Sequence, residues 1–570
     1  MKRFRIIYIF LGICFVCIFA RLFYLQIISC DNARQSVSQR LALSETEYAP
    51  RGEITDRNGT VLAGNRQGYI LRIKKDTKEK VDITLNNLCT LLKLPVDEMK
   101  QDMKDADFSH YNPFVVSEDT SKEVVTAIKE SPEKFPCVQL KVSPVREYFY
   151  PESAVHILGR CGMISQEEFL ENPSYRRDDY IGKQGAEKAF ENYLRGTDGK
   201  AAIEKKGKTY DADIPALPGK TVALTIDLSL QQAAEKALSD TIKNTYGAQS
   251  GAIVITDVAS SEVLAMASYP AYNIKNFNKD YKTLLKDSRK PMFNRAIAGL
   301  YEPGSTFKPV TAIAALEKGV IAPHTIIKTL GEYDYYDRSF RCNIFRQTGK
   351  THGSINVSQA LGVSCNYFFY ELADKTGIEK IAKVAQSFGL GALSGIELSG
   401  EEATGTIAHP ENRSTHWYAG DTLQASIGQS DNRFTPVALA NYAAALANGG
   451  NLYKAHILKS IDGVPEKNVL LNKIEMSPDT RSALHQGMMY VTTKGTAKDI
   501  FRGFPVKVAG KTGSAQTAKK TNGLFIGYAP ADNPKIAFCA VIEGAPSGNV
   551  AASAIKDVLK TYFNIGQKGN

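Results

Sequence analysis

Nine cysteines in 570 residues, with no close or regular spacing, exclude a disulfide-stapled scaffold. No low-complexity tract is present, and no run of lysine and arginine stands alone. The net charge is +10, but Lys and Arg alternate with Asp and Glu, and no aromatic residues interleave them in a stripe. Nucleic acid is therefore not an expected partner. A mildly basic exterior suits work beside anionic lipid or wall polymer. The apolar run from Ile6 to Ala20, resumed at Leu22 to Leu25 after Arg21, has no A-x-A site behind it, which argues against a cleaved signal peptide. Arg21 within the run argues equally against reading Ile27-Ile28-Ser29-Cys30 as a lipoprotein box.

What the N-terminus does hold is a candidate membrane span. Residues 6–28 as a helix would be about 34 Å long, enough to cross a bilayer. Lys2, Arg3 and Arg5 stand just before it, so residues 1–5 are expected in the cytoplasm and the remainder outside, with Arg21 snorkelling to the interface or facing a partner helix.

A chain of this length, 43% hydrophobic and 23% charged, has material for two cores and an appendage. Residues 29–215 read as an elongated α+β pedestal. In it, Ile54-Thr55 and the residues after Asn58-Gly59 form a hairpin, with Asn58-Gly59 supplying the positive φ. Helical periodicity runs over Val81 to Leu92 and Glu118 to Glu130, and a short helix ends at Leu194-Arg195-Gly196. Asp211 to Lys220, with Pro215, Pro218 and Gly219, reads as a linker.

The pattern changes over 216–566. Asp227 caps an amphipathic helix to Asn244, and strands follow at Gly251 to Val258 and Val263 to Tyr269. Leu524 to Ala529 and Lys535 to Glu543 form a second hairpin before a helix over Ala551 to Phe563. Strands at both ends with helices between them predict one antiparallel sheet built from both termini and flanked by helices, in a multi-domain α/β chain.

Three short motifs carry the chemistry: Ser305-Thr306-Phe307-Lys308, Ser364-Cys365-Asn366 and Lys511-Thr512-Gly513. This ordered set is a known signature of serine acyltransferases. A serine hydroxyl needs a base, and Lys308 lies one helical turn after Ser305 on the same face. Pro303-Gly304 marks a helix start whose free N–H groups favour a developing oxyanion. Lysine acts as a base only when neutral, and burial with a second cation, Lys511, would lower its pKa. Ser364 is placed to relay a proton, and Asn366 to hydrogen-bond Lys308 and a substrate amide. Lys511-Thr512-Gly513 is expected on a strand, where Gly513 lets a ligand backbone lie close in edge addition.

With these motifs, Arg51-Gly52-Glu53-Ile54, Asn294-Arg295, Tyr301-Glu302-Pro303-Gly304, Ser426-Ile427-Gly428-Gln429 and Gly510 to Gln516 make the chain resemble a class B penicillin-binding protein over nearly its whole length. The resemblance implies a membrane-anchored peptidoglycan D,D-transpeptidase. Ser305 would attack the penultimate D-Ala carbonyl of a stem pentapeptide and expel the terminal D-Ala, and the acyl group would pass to an amine on a neighbouring strand. By the same resemblance the oxyanion hole falls on the N–H groups of Ser305 and Ser514, and Thr512 and Ser514 hold the substrate carboxylate. β-Lactams, as D-Ala-D-Ala mimics, would acylate Ser305, and a polytopic glycan polymerase is the implied membrane partner. The role implied is wall synthesis for shape, division or sporulation.

Rival readings on the same fold are a serine β-lactamase and a D,D-carboxypeptidase. A lactamase needs a deacylating glutamate; Glu401, Glu402 and Glu411 fall in the right window, but none sits in a Glu-x-x-Leu-Asn context. A β-lactam sensor would need several spans and a cytoplasmic effector, for which the residues before Ile6 leave no room. A bifunctional class A protein would need a glycosyltransferase glutamate motif, and none is evident between anchor and linker.

The chemistry itself needs no cofactor. Cys342, His352 and Cys365 nevertheless cluster just before and within the second motif, with Asp334 and Asp337 nearby as candidate fourth ligands. Thiolates and imidazole suit a structural Zn²⁺, and some relatives that look similar here hold zinc. A Cys342–Cys365 disulfide is the first alternative. The second is a pair of isolated buried cysteines beside a histidine bonded to a carbonyl.

Overall fold

The computed structural model describes residues 45–566 except 107, 109–112, 118, 173, 177–178, 202–203, 206–207, 210–213, 399 and 517–519, and before them only 15, 16 and 19. The expected span over 6–28 thus lies almost wholly outside the described residues. Among those described, no helix is long and apolar enough to cross a membrane.

Two compact units are built from interleaved stretches of chain. The first takes Met1–Gly52, Asn65–Glu147 and Arg195–Lys220; the second takes Glu53–Gly64, Tyr148–Leu194 and Thr221–Asn570.

In the first unit the periodicity read around Val81 becomes a helix at Lys78–Leu92, which buries Val81, Leu85 and Leu88 against Leu71, Ile73, Phe114 and Ile128. A second helix, Lys122–Glu130, starts where the Ser121 hydroxyl accepts the Val124 N–H at 3.4 Å. The residues read as a linker are paired where described: Ile214 and Leu217 bridge to Lys200 and Thr197.

The second unit is organised on one sheet. Its elements, in chain order, begin with helix α1 (Leu228–Lys243) and strands β1 (Ser250–Asp257) and β2 (Val263–Tyr269). The middle of the unit supplies α2 (Lys308–Glu317), β3 (Glu332–Tyr335), β4 (Arg338–Arg341), α3 (Asn343–Thr348), α4 (Val357–Gly362), α5 (Asn366–Thr376), α6 (Ala419–Ser426), α7 (Pro436–Ala447) and α8 (Pro478–Thr493). The chain then returns through β5 (Ala509–Gln516), β6 (Thr521–Ala529) and β7 (Ile536–Glu543) to α9 (Gly548–Tyr562).

The strand order is β2-β1-β7-β6-β5, antiparallel throughout, so the two ends of the unit pair along β1 and β7 from Ser250↔Glu543 to Asp257↔Ile536. Strand β7 is apolar from Ile536 to Ile542 because both faces are covered. Ala537, Cys539 and Val541 face the helical middle, whereas Ile536, Phe538, Ala540 and Ile542 face the layer formed by α1 and α9. Each large side chain buried here stabilises the fold by roughly 2 kcal/mol. Asp227 caps α1 as read, its carboxylate accepting the Leu230 N–H at 3.0 Å. One local detail differs: only Gly59 takes a positive φ, +88°. The Asp56 carboxylate holds that turn instead, accepting the N–H groups of Asn58 at 2.9 Å and Thr60 at 2.8 Å.

Candidate active site

Ser305 sits on a 3₁₀ turn, Gly304–Phe307, that runs directly into α2. Residues three apart eclipse each other in a 3₁₀ turn, which stacks Ser305 over Lys308 more tightly than an α-helix would. The turn is pinned from two sides. Tyr301 and Phe434 exchange backbone hydrogen bonds at 3.0 and 2.9 Å, and the Gly304 N–H donates to the Gly428 carbonyl at 2.9 Å. Gly428, at φ +76°, permits that approach: a Cβ there would lie 2.1 Å from the Gly304 oxygen. Ser305 stays half-exposed, while Lys308 and Lys511 are completely buried.

The three motifs converge on one group of atoms. The Lys308 Nζ donates to the Ser364 carbonyl at 2.8 Å and to the Asn366 Oδ1 at 2.7 Å, and lies 3.2 Å from the Ser364 hydroxyl. From the other side the Lys511 Nζ donates to the same hydroxyl at 2.9 Å and to the Thr512 carbonyl at 3.0 Å. Ser364 Oγ is therefore bracketed by two amines, the arrangement a proton relay requires. Ser364 holds this position in the left-handed region, at φ +56°. For a residue with a Cβ this costs about 1 kcal/mol, and it aims the carbonyl at Lys308.

Burial pushes the Lys308 amine down to about 8, against the opposing pull of Cys342 and Cys365. Burial also lowers Lys511 well below the ordinary lysine value, and the charge of Lys308 adds to that. The second-cation effect expected for Lys308 thus falls on Lys511. Both buried amines are thus shifted toward their neutral forms, as a base at this position would need.

Lys511-Thr512-Gly513 lies on β5, the outermost strand of the sheet among the described residues, and such an edge suits the addition of an extended peptide. Gly513 has a reason of its own within the fold. A Cβ there would meet the Pro303 carbonyl at 2.7 Å and the Thr306 methyl at 2.9 Å, so the glycine admits the nucleophile turn. The Thr512 hydroxyl pairs with that of Thr496 at 2.7 Å, and the exposed Ser514 accepts the Gly548 N–H at 3.2 Å. Two of the glutamates weighed as deacylating bases are occupied elsewhere: Glu401 accepts the Gly185 N–H and Glu402 the Ser394 N–H, each at 2.7 Å.

Behind Ser364, the ligand atoms of Cys342, His352 and Cys365 all lie within 4.8 Å of one another. Both cysteines are free and buried, with Cys342 Sγ 3.7 Å from His352 Nδ1 and accepting the Asn366 N–H at 3.4 Å. The thiol of Cys365 and the imidazole of His352 favour the Cys342 thiolate, lowering its pKa, while Cys365 is raised in turn. An all-nitrogen-and-sulfur donor set of this kind fits Zn²⁺. Asp334 and Asp337 are not part of the cluster; Asp334 instead accepts the Ser339 hydroxyl across the β3–β4 hairpin.

Sequence reasoning missed a second polar knot beside the nucleophile turn. Glu543 at the end of β7 accepts from the Tyr301 hydroxyl at 2.7 Å, from Arg295 Nε at 2.9 Å and from Ser250. The only hint was the Asn294-Arg295 pair, since Glu543 looks like an ordinary strand end. Thr496, bonded to Thr512, gave no signal.

Comparison with known proteins agrees with this geometry. Residues 251–560 match the penicillin-binding protein transpeptidase domain, and residues 46–224 match the penicillin-binding protein dimerisation domain. The peptidoglycan D,D-transpeptidase MrdA of Acinetobacter baumannii is 30% identical over 98% of this chain and 87% of its own length. The chain belongs to the class B penicillin-binding proteins. Two solved structures are similar to this penicillin-binding protein over most of its length. One comes from a peptidoglycan synthase complex that coordinates polymerization and crosslinking; it is 28% identical with a TM-score of 0.74, covering 100% of this chain and 99% of the other. The other is Pseudomonas aeruginosa PBP2 in complex with WCK 5153, 29% identical with a TM-score of 0.70 over 91% of this chain and 96% of the other.

Proposed function

We propose that Ser305 is the nucleophile of this enzyme, a serine-type peptidoglycan D,D-transpeptidase. The Ser305 Oγ attacks the penultimate D-Ala carbonyl of a stem peptide while Lys308 takes its proton. The C–N bond to the terminal D-Ala breaks, and that amine leaves with a proton delivered through Ser364, which Lys511 holds. An amine from a second stem peptide then attacks the ester, gives up a proton along the same path, and releases Ser305 with the cross-link formed. The oxyanion is met by the N–H groups of Ser305 and Ser514, and Thr512 and Ser514 hold the substrate carboxylate. The observation carrying this reading is Ser364 Oγ between the two buried amines, 3.2 Å from Lys308 and 2.9 Å from Lys511.

β-Lactams follow the first half of the path and stop at the acyl-enzyme. Mass spectrometry after incubation with a β-lactam tests this: the expected result is a stable adduct on Ser305. Rapid drug turnover would favour a β-lactamase, and a folded protein with no adduct would refute both. In cells the enzyme works in wall synthesis, and we assign it a single membrane span at 6–28 with the catalytic unit outside and a membrane glycan polymerase as partner.

A structural Zn²⁺ held by Cys342, His352 and Cys365 belongs to the same reading. It would brace the loop carrying Ser364 and Asn366 from behind and take no part in acyl transfer. Metal analysis of protein purified without chelator, with free-thiol counting, should find about one zinc per chain, and unmetallated protein with all thiols reactive would overturn the assignment.

A further inference from the structure

A cavity of about 380 Å³ lies between the β3–β4 hairpin, α3, α5 and α6 and is unused by the chemistry above. Arg338 and Arg341 on β4 and Arg346 on α3 line it, with Glu332 as the lone carboxylate. Arg341 is engaged by Glu332 at 2.8 Å. Among the described residues neither Arg338 nor Arg346 has an ion-pair partner, so two guanidiniums with their donors in a planar fork remain for a ligand.

The cavity is built. Phe340 in its lining is packed edge-on against Tyr370 with ring centres 5.6 Å apart. A Cβ on Gly420, at the start of α6, would come within 2.7 Å of the Phe340 ring, so the glycine makes room for this packing. The Tyr333 hydroxyl fastens the hairpin to α5 through Asp374 at 2.7 Å. Tyr370 also lies beside Asn366 on α5, and the Asn366 Oδ1 accepts from Lys308. None of the lining residues comes from β5 or the Ser305 turn, so the cavity lies outside the strand edge along which the donor peptide is read to bind.

We propose that this cavity binds carboxylates of the acceptor stem peptide, the strand that supplies the attacking amine. Stem peptides end in a carboxylate and carry others along the backbone, matching the two free guanidiniums, while Phe340 and Tyr370 offer apolar contact to the aliphatic part of a diamino acid. The inference rests on the transpeptidase reading, but its test separates the two. Ser305 acylation by a fluorescent β-lactam needs no acceptor, whereas cross-linking of a synthetic thioester donor to a peptide amine does. In the full-length protein, the double substitution Arg338→Gln with Arg346→Gln should leave β-lactam labelling as in the parent protein. It should raise the KM for a carboxylate-bearing acceptor about tenfold or more with little change in kcat. Amidating the acceptor's carboxylates should weaken the parent protein by a similar factor and erase the difference from the variant. The single change R346Q should fall between. Equal KM values for variant and parent with the acidic acceptor, or equal losses with acidic and amidated acceptors, would overturn the proposal. Loss of labelling in the parent protein would instead overturn the reading beneath it.

Discussion

Arg295 and Lys308 are both buried, 4% and 0% exposed, and both stand close in sequence to Ser305, yet their surroundings differ in one respect. Arg295 faces the Glu543 carboxylate and two backbone carbonyls, those of Arg289 and Lys290. Glu543 is desolvated, which works to raise its pKa, but the Ser250 hydroxyl and the charge of Arg295 outweigh this and hold it lowered. Lys308 donates to neutral oxygens of Ser364 and Asn366 and has no carboxylate partner among the described residues, and the opposing pull of Cys342 and Cys365 does not offset its burial. A buried cation with a counter-ion stays charged and fixes structure; one without is driven toward its neutral form and becomes a base. The chain places one of each on the two sides of the nucleophile turn.

The largest effect should come from Lys308→Met. Without its base, acylation of Ser305 should slow about 10³-fold, while the unfolding midpoint holds or rises because a poorly solvated amine has gone. β-Lactam labelling rates and chemical denaturation on the same preparation check both halves. A variant that is inactive and also strongly destabilised would break the contrast, since Lys308 would then be structural in the way Arg295 is.

Glu543→Ala should show the reverse. It strands Arg295 without a counter-ion and leaves the Tyr301 hydroxyl without its acceptor, at a cost of about 3 kcal/mol. Glu543→Gln, which keeps an acceptor, should cost less. Thermal unfolding of the two variants measures this, and an unchanged midpoint for the alanine would show that the paired cation is dispensable.

The pH profile sharpens the comparison at lower amplitude. Lys308 works as a base only when neutral, and its pKa lies near 8. The acylation rate should therefore rise about tenfold per pH unit at acid pH and level off above pH 8. A midpoint near the ordinary lysine value of about 10.4 would mean that burial leaves the amine unperturbed.

How much of this could be read in advance follows the range of the interactions. Ser305 and Lys308 were legible because one turn of chain joins them, and β1, β2, β6 and β7 because covered strands leave apolar runs. The packing of Gly513 against the Pro303 carbonyl went unread, because no local pattern announces a close approach from a segment that far away in sequence. Glu543 went unread because its partners Ser250, Arg295 and Tyr301 come from three separate elements. The cysteine cluster was legible in Cys342, His352 and Cys365, but Asp334 and Asp337 were drawn in by sequence proximity alone, and the β3–β4 hairpin keeps them out.

His156 extends the same rule to a weaker base and predicts the smallest effect. Burial pushes its imidazole down to about 4; the Pro291 carbonyl, 2.7 Å from Nε2, opposes this, and the charge of Arg295 reinforces it. A histidine whose folded pKa lies below its unfolded value stays neutral in the fold while the unfolded chain gains a proton. Its contribution is complete above about pH 6.5 and is lost as pH falls toward 4. Between pH 6.5 and 5.5 this group alone should remove about 1 kcal/mol of stability. His156→Gln, which can still donate to Pro291 but cannot titrate, should flatten the dependence over that interval. Denaturation midpoints at the two pH values measure the slope; if it is as steep in the variant as in the parent protein, the acid sensitivity belongs to other groups and His156 is an ordinary core residue.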